Sequence, residues 1–281
     1  MTLGELRRKI SERLRAVEGD QSSSMARMLV CDALDMTQTQ MMMRDNDSAS
    51  QEDQQRLMSM CDRLARREPL QYVTGKAYFR GNQYYVDSNV LIPRPETEVL
   101  VDNVVDVVRD GDRVVDIGTG SGCIAISIKQ DRPHSQVSAI DISETAIQVA
   151  RRNAEAMQVD VSFVRADIMS DWSGDKPYDI IVSNPPYVCD REKAEMERNV
   201  LDYEPHIALF VPDDDPLKFY RAIATKGMRG MLATGGHVMF EINEAYADEM
   251  SRMMRELGYV DVDIVDDQYG KPRVCRGRRP K

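Results

Sequence analysis

The chain has 281 residues, 42% hydrophobic and 30% charged, enough to bury a core and to build one large domain or two of ordinary size. A net charge of -10 argues against a general polyanion binder, because non-specific nucleic-acid affinity rests on Lys and Arg neutralising phosphates. No apolar run approaches a membrane span, and the charged, helix-periodic N-terminus lacks the apolar centre of a secretion signal, so a cytoplasmic protein with no membrane partner is expected.

Residues 1–70 read as helices only. Apolar positions recur at helical spacing in Leu3, Leu6, Ile10, Leu14, then Met25, Met28, Leu29, Ala33, and after a polar stretch (44–55) in Leu57, Cys61 and Leu64. The Glu68-Pro69 step closes this small helical domain. Met41, Met42 and Met43 are read as irregular core filling in preference to a partner surface. Residues 71–90 change character, with Tyr72, Val73, Tyr78, Phe79, Tyr84, Tyr85 and Val86 broken by Gly75 and Gly81, and read as a β-hairpin linker. Two prolines then hold Leu91 to Glu98 extended, and Thr97 is expected to cap a helix carrying Val99, Val104, Val105 and Val108.

The remainder, 91–281, alternates strands and helices. Strands are expected at 113–117, 136–141, 161–165, 178–183, 237–242 and 259–265, with helices at 124–130, 144–157, 216–231 and 246–257. Near-continuous Val and Ile strands between helices imply an α/β doubly wound, mostly parallel sheet, which binds ligands beyond the carboxyl ends of its strands. The basic run 271–281 reads as a solvated terminal segment rather than a nucleic-acid site.

Three motifs fall at those strand ends. The loop Gly118-Thr119-Gly120-Ser121-Gly122 follows the first strand; its glycines permit a tight turn and close approach of a ligand. A plain strand-to-helix turn would use glycines too. However, Cys123 stands where a dinucleotide fingerprint puts its last glycine, and Asp141 ends the next strand about 20 residues on, suited to ribose hydroxyls, so a nucleoside is favoured over a pyrophosphate. Asp167, then Ile168 and Met169, offer an acceptor and apolar walls for an adenine, with Trp172 as an alternative wall.

Asn184-Pro185-Pro186-Tyr187 is the sharpest signal. Consecutive prolines remove two backbone donors and leave carbonyls as acceptors, so the Asn184 oxygen and the Pro185 carbonyl can take both N–H bonds of one planar amide or amino group, with Tyr187 offering an apolar face. Holding both hydrogens aims the nitrogen lone pair at a donor methyl without a strong base. The five cysteines are widely spaced without a CxxC pair, and His134, His206 and His237 stand apart, so free thiols and no metal are expected.

Taken together, Ile92 to Glu98, Asp116 to Gly122, Asn184 to Tyr187, Glu204 to Leu209 and Asp267 to Arg273 resemble the PrmC/HemK family of peptide chain release factor N5-glutamine methyltransferases. The resemblance runs in order over nearly the whole chain. It implies a class I methyltransferase sheet of seven strands, the last one, Arg273 to Gly277, antiparallel. It also implies S-adenosyl-L-methionine as methyl donor, S-adenosyl-L-homocysteine as product, and the GGQ glutamine of class 1 release factors as acceptor, with the helical domain contacting the factor. Carried over by position, Gly118 to Gly122, Asp141 and Asn184 contact the cofactor, and Asn184 to Tyr187 hold the glutamine. Where some members have Trp after the third-strand Asp, this chain has Ile168. The competing readings are a nucleic-acid amino methyltransferase, which shares the tetrapeptide, a nicotinamide oxidoreductase and a non-catalytic scaffold.

Overall fold

Three of the first four helices start on a hydroxyl cap. Thr2 and Thr37 each form a reciprocal capping box, with Glu5 and Gln40, and Ser50 accepts from the Asp53 N–H. The computed structural model describes residues 1–281. In chain order its elements are α1 (Leu3–Glu18), α2 (Ser22–Ala33), α3 (Gln38–Met43), α4 (Gln51–Leu64), α5 (Leu70–Thr74), β1 (Lys76–Phe79), β2 (Asn82–Tyr85), α6 (Glu98–Val105), β3 (Arg113–Ile117), α7 (Cys123–Asp131), β4 (Gln136–Asp141) and α8 (Glu144–Ala156). There follow β5 (Ser162–Arg165), β6 (Tyr178–Ser183), β7 (Val188–Cys189), α9 (Arg198–Tyr203), β8 (Phe210–Val211), α10 (Lys218–Lys226), β9 (Leu232–Glu241), α11 (Ala247–Glu256), β10 (Val260–Asp266) and β11 (Pro272–Arg278). They gather into two compact units, Met1–Lys76 with Met196–Tyr203, and Ala77–Glu195 with Glu204–Lys281.

In the first unit Leu6, Ile10 and Leu14 of α1 pack with Leu29 and Val30 of α2 and with Leu57, Cys61 and Leu64 of α4. Burying each such aliphatic side chain contributes about 1.5–3 kcal/mol. The methionine run divides: Met41 is 1% exposed and fills this core, whereas Met42 and Met43 face solvent, which corrects the expectation that the run as a whole fills the interior. Tyr72 and Val73 also depart from expectation. They lie in α5, a single helical turn opened at Pro69 and closed by Gly75 in the left-handed region, and Val73 packs into the helical core. The hairpin itself is short, β1 against β2, turned by Arg80 and Gly81, both at positive φ.

The second unit holds a seven-stranded sheet in the order β10-β11-β9-β6-β3-β4-β5. The pairs β3–β4, β3–β6, β4–β5 and β6–β9 are parallel, and β11 runs antiparallel to both β9 and β10, as the family resemblance implies. Strand alternation splits the sheet between two cores. Val114, Ile180, Val182 and Met239 meet Leu100 and Val104 of α6 and Ile124 and Ile128 of α7 on one face. Val115, Ile181, Val238 and Phe240 meet Tyr220 and Ile223 of α10 and Met250 and Met254 of α11 on the other. The basic tail is not a solvated run: β11 lies between β10 and β9, and Arg273, Arg276 and Arg278 are paired with Asp267, Asp263 and Asp261. No helix is long and apolar enough to cross a membrane.

Candidate active site

The carboxyl ends of the central parallel strands fall level with one another. Ile117 pairs with Ile140 on one side and with Ser183 on the other, and Ser183 pairs with Phe240, so the chain leaves β3, β4, β6 and β9 at one edge. The Ser183 hydroxyl donates to the Ile117 carbonyl at 2.6 Å and ties the two central strand ends together.

After β3 the backbone makes three left-handed steps, at Gly118 (φ 76°), Gly120 (φ 53°) and Gly122 (φ 83°). These glycines do different work. A Cβ on Gly118 or Gly120 would point into open space, whereas one on Gly122 would meet Ile126 Cδ1 at 3.0 Å and Ala150 Cβ at 3.1 Å. The first two therefore leave a bare backbone cradle, and the third lets α7 and α8 approach closely. Asp141 holds the cradle: one carboxylate oxygen accepts from the Gly120 N–H and the other from the Ser143 N–H, both at 2.9 Å. Burial pushes its carboxyl up from the usual range, opposed by these N–H groups. Deeper in, the Thr119 hydroxyl donates to Asp116 at 2.6 Å, and Asp116, fully buried, is pushed up by burial to about 7.

A cavity of about 440 Å³ opens at this edge. Its walls bring together Gly118, Gly120, Asp141, Asp167, Ile168, Asn184, Pro185 and Pro186 of the residues singled out from sequence. Thr119, Ser121 and Gly122 stand behind it, as loop supports. Ile168 and Met169 line it, whereas Trp172 does not and packs instead against the core beside α10 and α11. Asp167 accepts from the Met169 N–H at 2.8 Å. No group of three or more His, Cys, Asp or Glu side chains gathers anywhere as metal ligands would.

Asn184 donates its Nδ2 to the Thr97 hydroxyl at 3.3 Å, and its Oδ1 can only accept. The capping role expected for Thr97 is not observed: its side chain makes no helix cap, because the hydroxyl is turned to Asn184. Tyr187 is half-buried and packs against the core, and its hydroxyl donates to Glu241 Oε1 at 3.3 Å. Burial, then the neighbouring Glu241 charge, pushes the phenol well above its ordinary value, so it is a donor and not a base. Arg94 pairs with Glu204, whose other oxygen accepts from the Ile92 N–H at 3.2 Å, fixing the proline-arginine stretch to the Glu204 to Leu209 segment.

Sequence reading missed Glu241, Thr97 as a site group, and the outer wall formed by Asn89 to Leu91, Pro205, Ile207, Ala208, Lys218 and Phe219. A carboxylate ending the apolar run Val238-Met239-Phe240 was the available signal for Glu241.

Comparison with known proteins meets this geometry. Residues 5–75 match the PrmC N-terminal domain and residues 95–202 the Methyltransferase small domain. A release factor glutamine methyltransferase of Bacteroides thetaiotaomicron is 46% identical over 92% of this chain and 94% of its own length. The chain belongs to the release factor glutamine methyltransferase family. A second member, from Flavobacterium psychrophilum, is 41% identical over 76% of this chain and 76% of that protein. A methyltransferase of Pyrococcus furiosus shares the fold, with a TM-score of 0.54 at 19% identity over 72% of this chain and 91% of the other. The family resemblance carried by the Ile92 to Glu98 stretch, the glycine loop and the Asn184 to Tyr187 tetrapeptide is thus borne out, together with the fold it implies.

Proposed function

We propose that this protein transfers the methyl group of S-adenosyl-L-methionine to the side-chain amide nitrogen (N5) of the glutamine in the GGQ motif of class 1 peptide chain release factors, leaving S-adenosyl-L-homocysteine. One observation carries the reading: a single cavity joins a bare glycine cradle and a strand-end carboxylate to a two-proline acceptor motif. The residues fit a nucleoside cofactor. Gly118 and Gly120 leave room for close approach, Asp141 retains lone pairs for ribose hydroxyls, and Asp167 with Ile168 offers an acceptor and an apolar wall for the base. Thr119, Ser121 and Gly122 act behind these, holding the loop.

When bound, the cofactor supplies an electrophilic methyl group. The chain's own residues prepare the nitrogen. Asn184 Oδ1 and the Pro185 carbonyl accept the two amide hydrogens, and Pro186, lacking an N–H, keeps the turn rigid and offers no competing donor. Fixing both hydrogens favours pyramidalisation and directs the lone pair, so rate comes from positioning, worth about 7–11 kcal/mol in well-oriented cases. Tyr187 is not among the residues lining the cavity, so the apolar face expected of it is not offered there; held protonated and donating to Glu241, it braces the motif from the core side and removes no proton. A nitrogen that has formed its fourth bond is strongly acidic and releases its proton through these acceptors to water.

In this reading residues 1–70 recognise the factor, 71–90 connect, and 91–281 bind cofactor and acceptor, and the protein works in the cytoplasm on a protein substrate. The names of its relatives and the net charge of -10, which disfavours nucleic acid, support that acceptor. Labelled methyl is expected to pass from S-adenosyl-L-methionine to a purified release factor and not to DNA or RNA. Labelling of nucleic acid with an unlabelled factor would overturn the proposal.

A further inference from the structure

Asn153 has no part in the site described so far, yet its side chain is fully engaged behind the glycine cradle. It lies on α8 and is 2% exposed. Its Oδ1 accepts from the Tyr85 N–H at 2.7 Å, and its Nδ2 donates to the Tyr85 carbonyl at 3.0 Å and to the Ser121 carbonyl at 2.9 Å. The first two bonds pair the amide with Tyr85, at the end of β2, as a neighbouring strand would. The third reaches the loop between Gly120 and Gly122. Ala150, one helical turn earlier, stands against Gly122, so α8 backs the loop by close contact and by hydrogen bond. Tyr85 in turn leads to the outer wall of the cavity. Its hydroxyl donates to Asp87 Oδ2 at 3.1 Å, and Asp87 Oδ1 accepts from the Asn89 N–H at 2.9 Å and from its Nδ2 at 2.8 Å. Asn89 to Leu91 line the cavity opposite the glycines in sequence, and one buried amide joins the two segments.

We propose that Asn153 is a positioning residue for the cofactor, holding the glycine cradle in register with the Asn89 to Leu91 wall. Donor counting singles out an asparagine. The three backbone groups around it need one acceptor and two donors, which a carboxamide supplies; an ionised Asp has no donor and a Ser has one. Turned over, the amide would set its oxygen against both carbonyls and its nitrogen against the Tyr85 N–H, so a single orientation is fixed. A cradle without this tie spends part of its time out of register with the wall. The cofactor then binds only the competent fraction, and its Kd rises by the reciprocal of that fraction. Binding restores the register, so the rate at saturating cofactor is retained.

This inference rests on the proposed binding of S-adenosyl-L-methionine in this cavity and is tested on the full chain. Asn153→Ala, Asn153→Asp and Arg152→Gln are compared with the parent for S-adenosyl-L-methionine affinity by calorimetry, for kcat in release-factor methylation at saturating cofactor, for thermal melting and for backbone amide hydrogen exchange. Arg152 is the control: exposed, with its guanidinium carbon 3.4 Å from the centre of the Tyr85 ring, it touches the same residue without sharing the three bonds. Both Asn153 variants are expected to raise the Kd by about tenfold or more, Asn153→Asp the further because its carboxylate faces two carbonyls. Their kcat should stay within about threefold of the parent. The Tyr85 and glycine-loop amides should exchange faster while those of β3 and β6 keep their protection. Arg152→Gln should bind the cofactor within about threefold of the parent. Parental affinity in the folded Asn153 variants would overturn the inference, as would an equal weakening in Arg152→Gln. Loss of protection throughout β3 and β6 would overturn it too, by making Asn153 a general brace of the fold. Should Asn153→Asp fail to melt cooperatively, Asn153→Ala decides alone. A parent that binds no S-adenosyl-L-methionine would overturn the proposed function and this inference together; a parent that binds it no better than the Asn153 variants overturns the inference only.

Discussion

Asn184 donates Nδ2 to Thr97 and lines the cavity, and in the proposed function its Oδ1 takes a hydrogen of the nitrogen that enters there. Asn184→Ala should therefore lower kcat by about 10²-fold or more while changing cofactor affinity far less, the scale seen when one preorganised polar contact to a reacting centre is removed. Single-turnover kinetics beside calorimetric binding would separate the two, and a loss confined to cofactor affinity would remove Asn184 from the acceptor site. Asp116 makes a different prediction. Burial lifts its carboxyl from 3.8 to about 7, against the Thr119 hydroxyl and the Ala125 N–H. The folded chain thus keeps a proton that the unfolded chain has already lost. Its contribution to stability is fully present below the unfolded value and is lost as pH rises toward 7. Urea unfolding of Asp116→Asn against the parent should show a gap that shifts in favour of the variant from about pH 4 to about pH 7 and then levels off; a gap independent of pH would contradict it.

The elements show where a local pattern was sufficient and where partners decided. Helical spacing of Leu6, Ile10 and Leu14 marks the buried stripe of α1, and the Val and Ile strands of the parallel sheet announce themselves because both faces are covered. Tyr72 and Val73 read as strand because they are aromatic and β-branched; Pro69 and Gly75 bracket them too closely for anything but one helical turn. The basic tail misled for a similar reason. Its arginines look solvated in isolation, and only the acidic residues of β10, opposite them in register, explain how β11 sits inside the sheet. Within the glycine loop the motif conceals two roles. Gly120→Ala and Gly122→Ala share a cost of about 1–2 kcal/mol for a side chain in the left-handed region. Gly122→Ala adds a collision with Ile126 and Ala150, a further ~1–3 kcal/mol. Thermal melting should rank Gly122→Ala as the less stable, with Gly120→Ala losing proportionately more cofactor affinity. The reverse ranking would mean the cradle and the packing glycine have been exchanged.

At the level of the whole molecule, the fold and the placement of the chemistry were legible because doubly wound sheets put ligands beyond their carboxyl strand ends, so the glycine loop, Asp141 and the Asn184 tetrapeptide had to converge. Less legible were groups that act through other groups. Thr97 reads as a helix cap by its neighbours in sequence, and Glu241 as one more charge, until the sheet register sets one beside Asn184 and the other beneath Tyr187. The outer wall from Asn89 to Leu91 and from Pro205 to Ala208 carries no motif of its own and exists only by the chain's return to the sheet edge. The most direct measurement of the acceptor is transfer of labelled methyl to an intact class 1 release factor and to one whose GGQ glutamine has been replaced. Label is expected in the first and none in the second; equal labelling of both would contradict the glutamine as acceptor.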